Sequence, residues 1–297
     1  MTQPIPHSDE ASVKANGIDI VYDTFGEATA PPMLLVMGLG GQLIAWDDEF
    51  CAALAGLGYW VSRFDNRDIG LSTKFDEAGL PDIPAMLQGA PIQPPYTLRD
   101  MAADAVGLLD ALDIESAHVV GVSMGGMIAQ EMAIGYADRV RTLTSIMSST
   151  GNPEVPTRPD TVALLVAPAP ADREGYLEHS LQIWRVLNGP RFPLDEKRTR
   201  ELAGKSFDRG LNPAGTMRQL AAIIGSGSRR EALTAVRIPA LVIHGDADPL
   251  VPVEAGIDTA EAIPGAELLI IEGMGHNLPP AVAPRVIEAI VRHTARG

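Results

Sequence analysis

Residues 121–125 read Gly-Val-Ser-Met-Gly, a G-x-S-x-G pentapeptide centred on Ser123. A serine hydroxyl is a weak nucleophile at neutral pH, so acyl transfer needs a base to take its proton and an acid to orient that base. The chain has six histidines. His7 lies in the N-terminal tail, and His118 opens the apolar run that leads to the serine, at its wrong end. His179 falls in a mid-chain helical region, His244 within an apolar run and His293 near the C-terminus. His276 occupies a glycine-rich loop, Gly273-Met274-Gly275-His276, just after the last apolar run. A side chain there can reach across, which makes His276 the candidate base. Two carboxylates, Asp246 and Asp248, follow the apolar run at 240–244, at the carboxyl end of a strand where open α/β sheets place their sites. Asp248 is favoured because Pro249 stiffens the chain beside it, whereas Asp246 is expected to bond backbone amides in its own turn. The resulting chain order is Ser, Asp, His, one of the orders in which a nucleophile, its orienting acid and its base can follow one another along a chain.

An acyl-transfer intermediate also needs donors for its oxyanion. Met124, directly after the nucleophile, supplies one backbone N–H. The second is expected from Leu39, in the glycine loop Gly38-Leu39-Gly40-Gly41 that ends an apolar strand. Read blandly, that loop is an ordinary flexible turn. It has neither a Walker lysine nor G-x-G-x-x-G spacing, so it is not read as a phosphate loop.

The elements that must carry these residues follow from the pattern of the rest of the chain. An Asn16-Gly17 turn joins two short strands at 12–15 and 18–25. Continuous apolar runs at 33–37, 59–64, 117–121, 140–147, 240–244 and 267–271 read as strands, those of the central sheet covered on both faces. Helices are expected at 50–56, 98–112, 124–136, 255–263 and 281–294, the second with Thr97 as N-cap and Asp100 in its first turn. Such alternation implies parallel strands with right-handed helical crossovers. Residues 74–96 contain five prolines and read as irregular. Residues 151–232 break the alternation, with helices expected at 160–166, 173–187, 195–207 and 213–224. The expected organisation is an α/β core at 1–150 and 233–297 with a helical cap insertion at 151–232.

Composition narrows the partners. The 297 residues are 46% hydrophobic and 21% charged, with 23 Lys and Arg against 38 Asp and Glu, for a formal charge of −15. That surface repels phosphate backbones, so no nucleic-acid partner is expected. The lone Cys51 excludes an internal disulfide framework and a cysteine-based zinc cluster, and reads as a small buried apolar residue. No run of about 18 apolar residues occurs, so no membrane span is expected. The first ten residues lack the basic start and apolar run of a signal peptide, which leads to the expectation of a cytoplasmic protein.

Five segments together resemble the α/β-hydrolase superfamily: VMGLGG (36–41), FDNRDIGLS (64–72), VVGVSMGG (119–126), VIHGDADP (242–249) and GMGH (273–276). Within it the chain resembles bacterial serine carboxylesterases, including the aclacinomycin methylesterase type and actinobacterial lipase/esterase-like proteins. The resemblance implies a mostly parallel sheet of about eight strands flanked by helices. It has two departures. Most such enzymes carry His-Gly at the oxyanion loop, whereas this chain has Met37-Gly38, as the methylesterase type does; the loop then loses its His-mediated support. Residues 65–72 are similar to the family's D-x-R-G-x-G-x-S with Asp68 in place of a glycine, a segment read as structural. Superfamily members with an aspartate nucleophile, the haloalkane dehalogenases and epoxide hydrolases, are excluded by Ser123.

The expected function is hydrolysis of carboxylic esters of small, mostly hydrophobic molecules through an acyl-enzyme, with no metal or organic cofactor. Lactone, thioester or C–C bond hydrolysis or perhydrolysis on the same triad is the alternative, and a non-catalytic hydrolase-like binding protein a more distant one. Gly38, Trp46 and Trp184 are candidate substrate contacts, with Leu164, Leu165, Val166, Leu181 and Leu187 as apolar candidates from the cap. Burial of the Trp46 ring in the core is an equal reading.

Overall fold

The computed structural model describes residues 4–90, 93–165 and 167–297. Eight strands form one sheet: β1 (Ala11–Ala15), β2 (Ile18–Phe25), β3 (Pro32–Val36), β4 (Trp60–Phe64), β5 (Ala117–Val122), β6 (Val140–Ile146), β7 (Ala240–Gly245) and β8 (Glu267–Ile271). Their spatial order is β1-β2-β4-β3-β5-β6-β7-β8. The pairings β1–β2 and β2–β4 are antiparallel and all others parallel. Asn16 and Gly17 both have positive φ, 49° and 82°, the backbone that a two-residue hairpin between right-twisted strands demands.

The apolar runs are continuous because both faces of the sheet are covered. Along β3 and just beyond it, Leu34 and Val36 join one core layer while Met33, Leu35 and Met37 join the other. β5 divides in the same way, Ala117 and Val119 against Val120 and Val122. The first layer is packed by α3 (Leu98–Ala111) and α4 (Met124–Gly135), the second by α1 (Asp48–Gly56) and α11 (Ala283–Thr294). Fully burying each such aliphatic side chain contributes about 2 kcal/mol. Thr97 caps α3 in a reciprocal capping box with Asp100, which satisfies two N–H groups that the helix start otherwise leaves unpaired.

Residues 74–96 depart from the expected irregular path. A short helix, α2 (Ile83–Leu87), starts there because the Asp82 side chain accepts from the Ala85 N–H and Pro84 occupies the first turn. A proline at that position loses no intrahelical bond and has its φ already set. Between β6 and β7 the chain runs through α5 (Pro159–Leu165), α6 (Arg173–Leu187), α7 (Glu196–Arg209), α8 (Pro213–Ser226) and α9 (Arg230–Leu233). The short α9 had no counterpart in the sequence reading. α10 (Val253–Ala262) follows β7. Among the described residues, no helix is long and apolar enough to cross a membrane.

The base of the sheet holds a buried histidine, His118 on β5, whose Nδ1 lies 3.0 Å from Thr142 Oγ1. Burial, aided by Arg141 and His293, pushes its pKa down from 6.5 to about 4. The unfolded chain therefore takes up this proton at a higher pH than the folded chain. Stability is fully present above pH 6.5 and declines as pH falls towards 4, by about 3 kcal/mol from this group. Burial shifts His244 and His293 in the same direction. The urea midpoint is expected to fall between pH 7 and pH 4.5, and to fall less in His118→Gln. An equal fall in both proteins refutes the assignment to His118.

Candidate active site

Four loops meet above the carboxyl ends of the central strands. The connection from β3 turns to β4 on one side, while β5 lies on the other, so a crevice opens where the order reverses. The loop after β3 enters it from one side and the turn after β5 from the other. The loops after β7 and β8 bring in Asp248 and His276.

The turn after β5 is sharp. Ser123 has φ 53° and ψ −122° and stands as the residue before α4. Glycine is required around it for space. A Cβ at Gly121 would overlap the Gly125 backbone, and one at Gly125 would overlap the Val36 carbonyl. The backbone so folded lifts Ser123 Oγ to 3.0 Å from His276 Nε2. His276 Nδ1 lies 2.7 Å from Asp248 Oδ2. A carboxylate only accepts, so Nδ1 carries the ring proton and Nε2 presents a lone pair to the serine hydroxyl. The geometry can pass the Ser123 proton to His276 while Asp248 holds the ring.

Each partner is itself held. Asp248 Oδ1 accepts from the Leu250 and Val251 amides at 2.8 and 2.9 Å, leaving Oδ2 for the histidine. His244, fully buried behind it, bonds the Val251 carbonyl through Nε2 at 3.0 Å. Burial lowers its pKa, so it stays neutral and does not compete as a cation for the carboxylate. The His276 N–H donates to the Leu187 carbonyl at the end of α6. Asn277 Nδ2 donates to Asn188 Oδ1 at 2.7 Å. Asp246 is exposed and lies outside this chain of bonds. Its Oδ1 accepts from the Gly273 N–H at 2.6 Å, in the loop that carries His276 and not in its own turn as expected.

The loop after β3 abuts Ser123. A Cβ at Gly38 would sit 3.2 Å from Ser123 Cβ, so any side chain there crowds the serine. Met124 opens α4, and its N–H has no intrahelical acceptor. Among the described residues, neither that N–H nor the Leu39 N–H has a protein acceptor. The Leu39 side chain packs between the main core and a smaller cluster of Ile83, Met86, Leu220 and Ala221. With Met37 in the usual histidine position, Asn66 supports the loop instead, donating through Nδ2 to the Met37 carbonyl at 2.9 Å.

Trp46 is a correction. Its ring is 2% exposed and stacks on Phe50 at 5.5 Å between centroids. The short turn at Leu43–Ala45 and the start of α1 direct it into the core, leaving no face for substrate. Trp184 is half-buried on α6 against Leu187, Leu250 and Val251, beside the residues that hold Asp248. Leu181 and Leu187 are buried, Leu164 and Leu165 half-buried, and Val166 lies outside the described residues. Cys51 is fully buried, and burial pushes its thiol up to about 12, so it stays a protonated thiol at neutral pH.

Sequence reasoning missed the polar network beside the loop after β3. Asp65 accepts from Leu43 N and from Arg209 of α7, and Asp68 from Arg218 of α8. Arg67 pairs with Asp104 on α3. The signal for it was the acidic and basic run 65–68, with Asp68 at a position of φ 73°; the partners lie too far along the chain to be named from sequence.

Residues 31–279 match the family model described as alpha/beta hydrolase fold. The chain is 33% identical to rhodomycin D methylesterase DauP of Streptomyces sp. (strain C5), over 96% of either chain. It is also 33% identical to rhodomycin D methylesterase DnrP of Streptomyces peucetius, over 97% of this chain and 96% of that one. The enol-lactonase from Burkholderia xenovorans LB400 shares the fold with a TM-score of 0.74, at 22% identity over 96% of this chain and 100% of that one. The chain belongs to the α/β-hydrolase fold family.

Proposed function

We propose that this protein hydrolyses carboxylic esters of small, mostly hydrophobic molecules through an acyl-enzyme on Ser123. It is a carboxylic ester hydrolase, in keeping with the methylesterase names of its two full-length relatives. The observation that carries the assignment of roles is the unbroken line of hydrogen bonds from Ser123 Oγ through His276 to Asp248.

In this mechanism Ser123 Oγ attacks the ester carbonyl carbon while His276 Nε2 takes the hydroxyl proton. The N–H groups of Leu39 and Met124 stabilise the oxyanion. Collapse of the tetrahedral intermediate breaks the bond to the alkoxy group, which leaves as the alcohol with the proton from His276. Water then enters, loses a proton to His276 and attacks the acyl carbonyl. The second collapse releases the acid and returns the proton to Ser123. Asp248 stays ionised and stabilises the imidazolium at each step. The residues require no metal or organic cofactor for these steps.

The same proposal takes residues 151–232 as a cap over the core of 1–150 and 233–297. Support comes from α5–α9 lying between β6 and β7, and from α6 and α8 bonding the His276 and oxyanion loops. Gly38 and Trp184 are assigned to substrate contact. The methylesterase relatives support methanol as the leaving alcohol, and the apolar cluster against Leu39 supports a hydrophobic acid portion. A cytoplasmic location and a small-molecule ester substrate complete the reading, the −15 charge disfavouring nucleic acid.

A panel of methyl esters, larger alkyl esters, lactones and thioesters tests it, with active sites counted by a fluorophosphonate. Methyl esters of hydrophobic acids are expected to give the highest kcat/KM. Faster turnover of a lactone or thioester than of every ester, or no labelling by the fluorophosphonate, overturns the proposal.

A further inference from the structure

The oxyanion loop is held at two points, one on each side of Leu39. Upstream, the Met37 carbonyl accepts from Asn66. Downstream, the Gly40 N–H donates to Gln219 Oε1 at 2.9 Å. Between those anchors the chain has only two residues, Gly38 and Leu39, and the direction of the Leu39 N–H follows from them. Gln219 sits on α8 and is fully buried. Its Nε2 donates to the Arg67 carbonyl at 2.9 Å, so the amide can face only one way, with its oxygen towards Gly40. Thr216, one turn earlier on α8, packs against Gly40, where a Cβ would lie 3.0 Å from its Oγ1.

Next to Gln219, Arg218 is 1% exposed and anchors the helix to the core. Its Nε and Nη2 donate to Asp68 Oδ2 and Oδ1 at 2.9 and 2.7 Å, a bidentate pair. Tyr96 Oη donates to the same carboxylate at 2.6 Å, and Asn212 Nδ2 donates to the Asp68 carbonyl at 2.9 Å. Asp68 holds φ 73°, a conformation that costs a non-glycine residue energy and persists where the surroundings over-determine it. These bonds supply that determination and fix where Gln219 stands.

We propose that Gln219 is a positioning residue for the oxyanion hole, aiming the Leu39 N–H through its bond to Gly40, with the Arg218–Asp68 pair holding it in place. The proposal rests on the reading of Ser123 as nucleophile and Leu39 as oxyanion donor. Donors help only when aimed where charge develops, and a misplacement of about 1 Å can cost on the order of 100-fold. Gln219 is fully buried with both ends of its amide bonded to protein, so its loss is expected to act on the transition state and to leave ground-state binding alone.

Gln219→Leu keeps the volume and removes both bonds. Per active site counted with a fluorophosphonate, kcat for a p-nitrophenyl ester is expected to fall about 10- to 100-fold with KM within about twofold. Affinity for a trifluoromethyl ketone, which forms a tetrahedral adduct on the serine, is expected to fall in parallel. A merely structural role lowers the melting temperature and the count of active sites but leaves kcat per site unchanged, and that result overturns the proposal. If Gln219→Leu does not fold, Gln219→Glu carries the test. Its carboxyl mimics the amide when protonated and repels the Arg67 carbonyl when ionised, so kcat relative to wild type is expected to rise as pH falls. A flat ratio overturns the proposal. Ser123→Ala, run alongside, separates the two failures. Its retention of turnover sinks the nucleophile reading, whereas a dead Ser123→Ala beside an unchanged Gln219→Leu sinks only the positioning role.

Discussion

Ser123→Ala is expected to lower kcat for a p-nitrophenyl ester by about 10⁵-fold, in line with the loss of a triad nucleophile elsewhere. Without Oγ, no acyl-enzyme forms, and water must attack an ester held only by the oxyanion donors and by apolar contacts. Those survivors sustain a residual rate on the order of 10³-fold over water. KM is expected to change little, because the hydroxyl contributes to the transition state and not to general binding. The substitution should not unfold the protein. The strained φ of 53° is already borne by a residue with a Cβ, and His276 is still held by Asp248 and by the Leu187 carbonyl. A variant with unchanged turnover, or one that still reacts with a fluorophosphonate, removes Ser123 from the mechanism.

The residues around Ser123 were legible because their constraints are local. Gly121 and Gly125 flank the serine at positions where a Cβ has no room, so the strand-to-helix turn is written into five consecutive residues. The parallel sheet was legible for a similar reason. Strands covered on both faces give continuous apolar runs, and the two core layers divide β3 and β5 residue by residue. His276 could be picked from six histidines because only it stands in the glycine-rich loop directly after the last strand, His293 falling in the terminal helix. Its partners then depend on loops whose ends the sheet fixes.

What the sequence hid are contacts between residues far apart in it. Arg218 meets Asp68 across 150 positions, and Gln219 meets Gly40 across 179. Neither arginine nor glutamine on an amphipathic helix announces burial; long polar side chains read as solvated unless the partner is known. Asp68 at a glycine position was visible as an oddity, and the structure supplies its physical reason in the buried bidentate pair. The replacement of histidine by Met37 was visible too. The compensating bond from Asn66 was not, although Asn66 stands in the same motif. Trp46 misled because an aromatic residue soon after an oxyanion loop fits a pocket and a core equally well. The turn that aims it inward is set by tertiary packing. In the 74–96 segment the prolines read as breakers, while Asp82 and Pro84 together make a helix start.

The second large effect separates the two aspartates after β7. Asp248→Asn is expected to lower kcat about 10⁴-fold, while Asp246→Asn is expected to cost less than about tenfold. The asparagine at 248 keeps one carbonyl oxygen, which the Leu250 and Val251 amides hold in place. Its NH₂ group then faces His276 Nδ1 from 2.7 Å, where the carboxylate oxygen had been. An N–H donor there requires Nδ1 to be the acceptor, so the ring proton moves to Nε2. The tautomer is then wrong: Nε2 can no longer take the Ser123 proton across 3.0 Å. The shape of the loop survives, so the melting temperature should change far less than the rate. At 246 the asparagine oxygen still accepts the Gly273 amide, and no ring tautomer depends on it. A larger kcat loss in Asp246→Asn than in Asp248→Asn reverses the assignment of the acid.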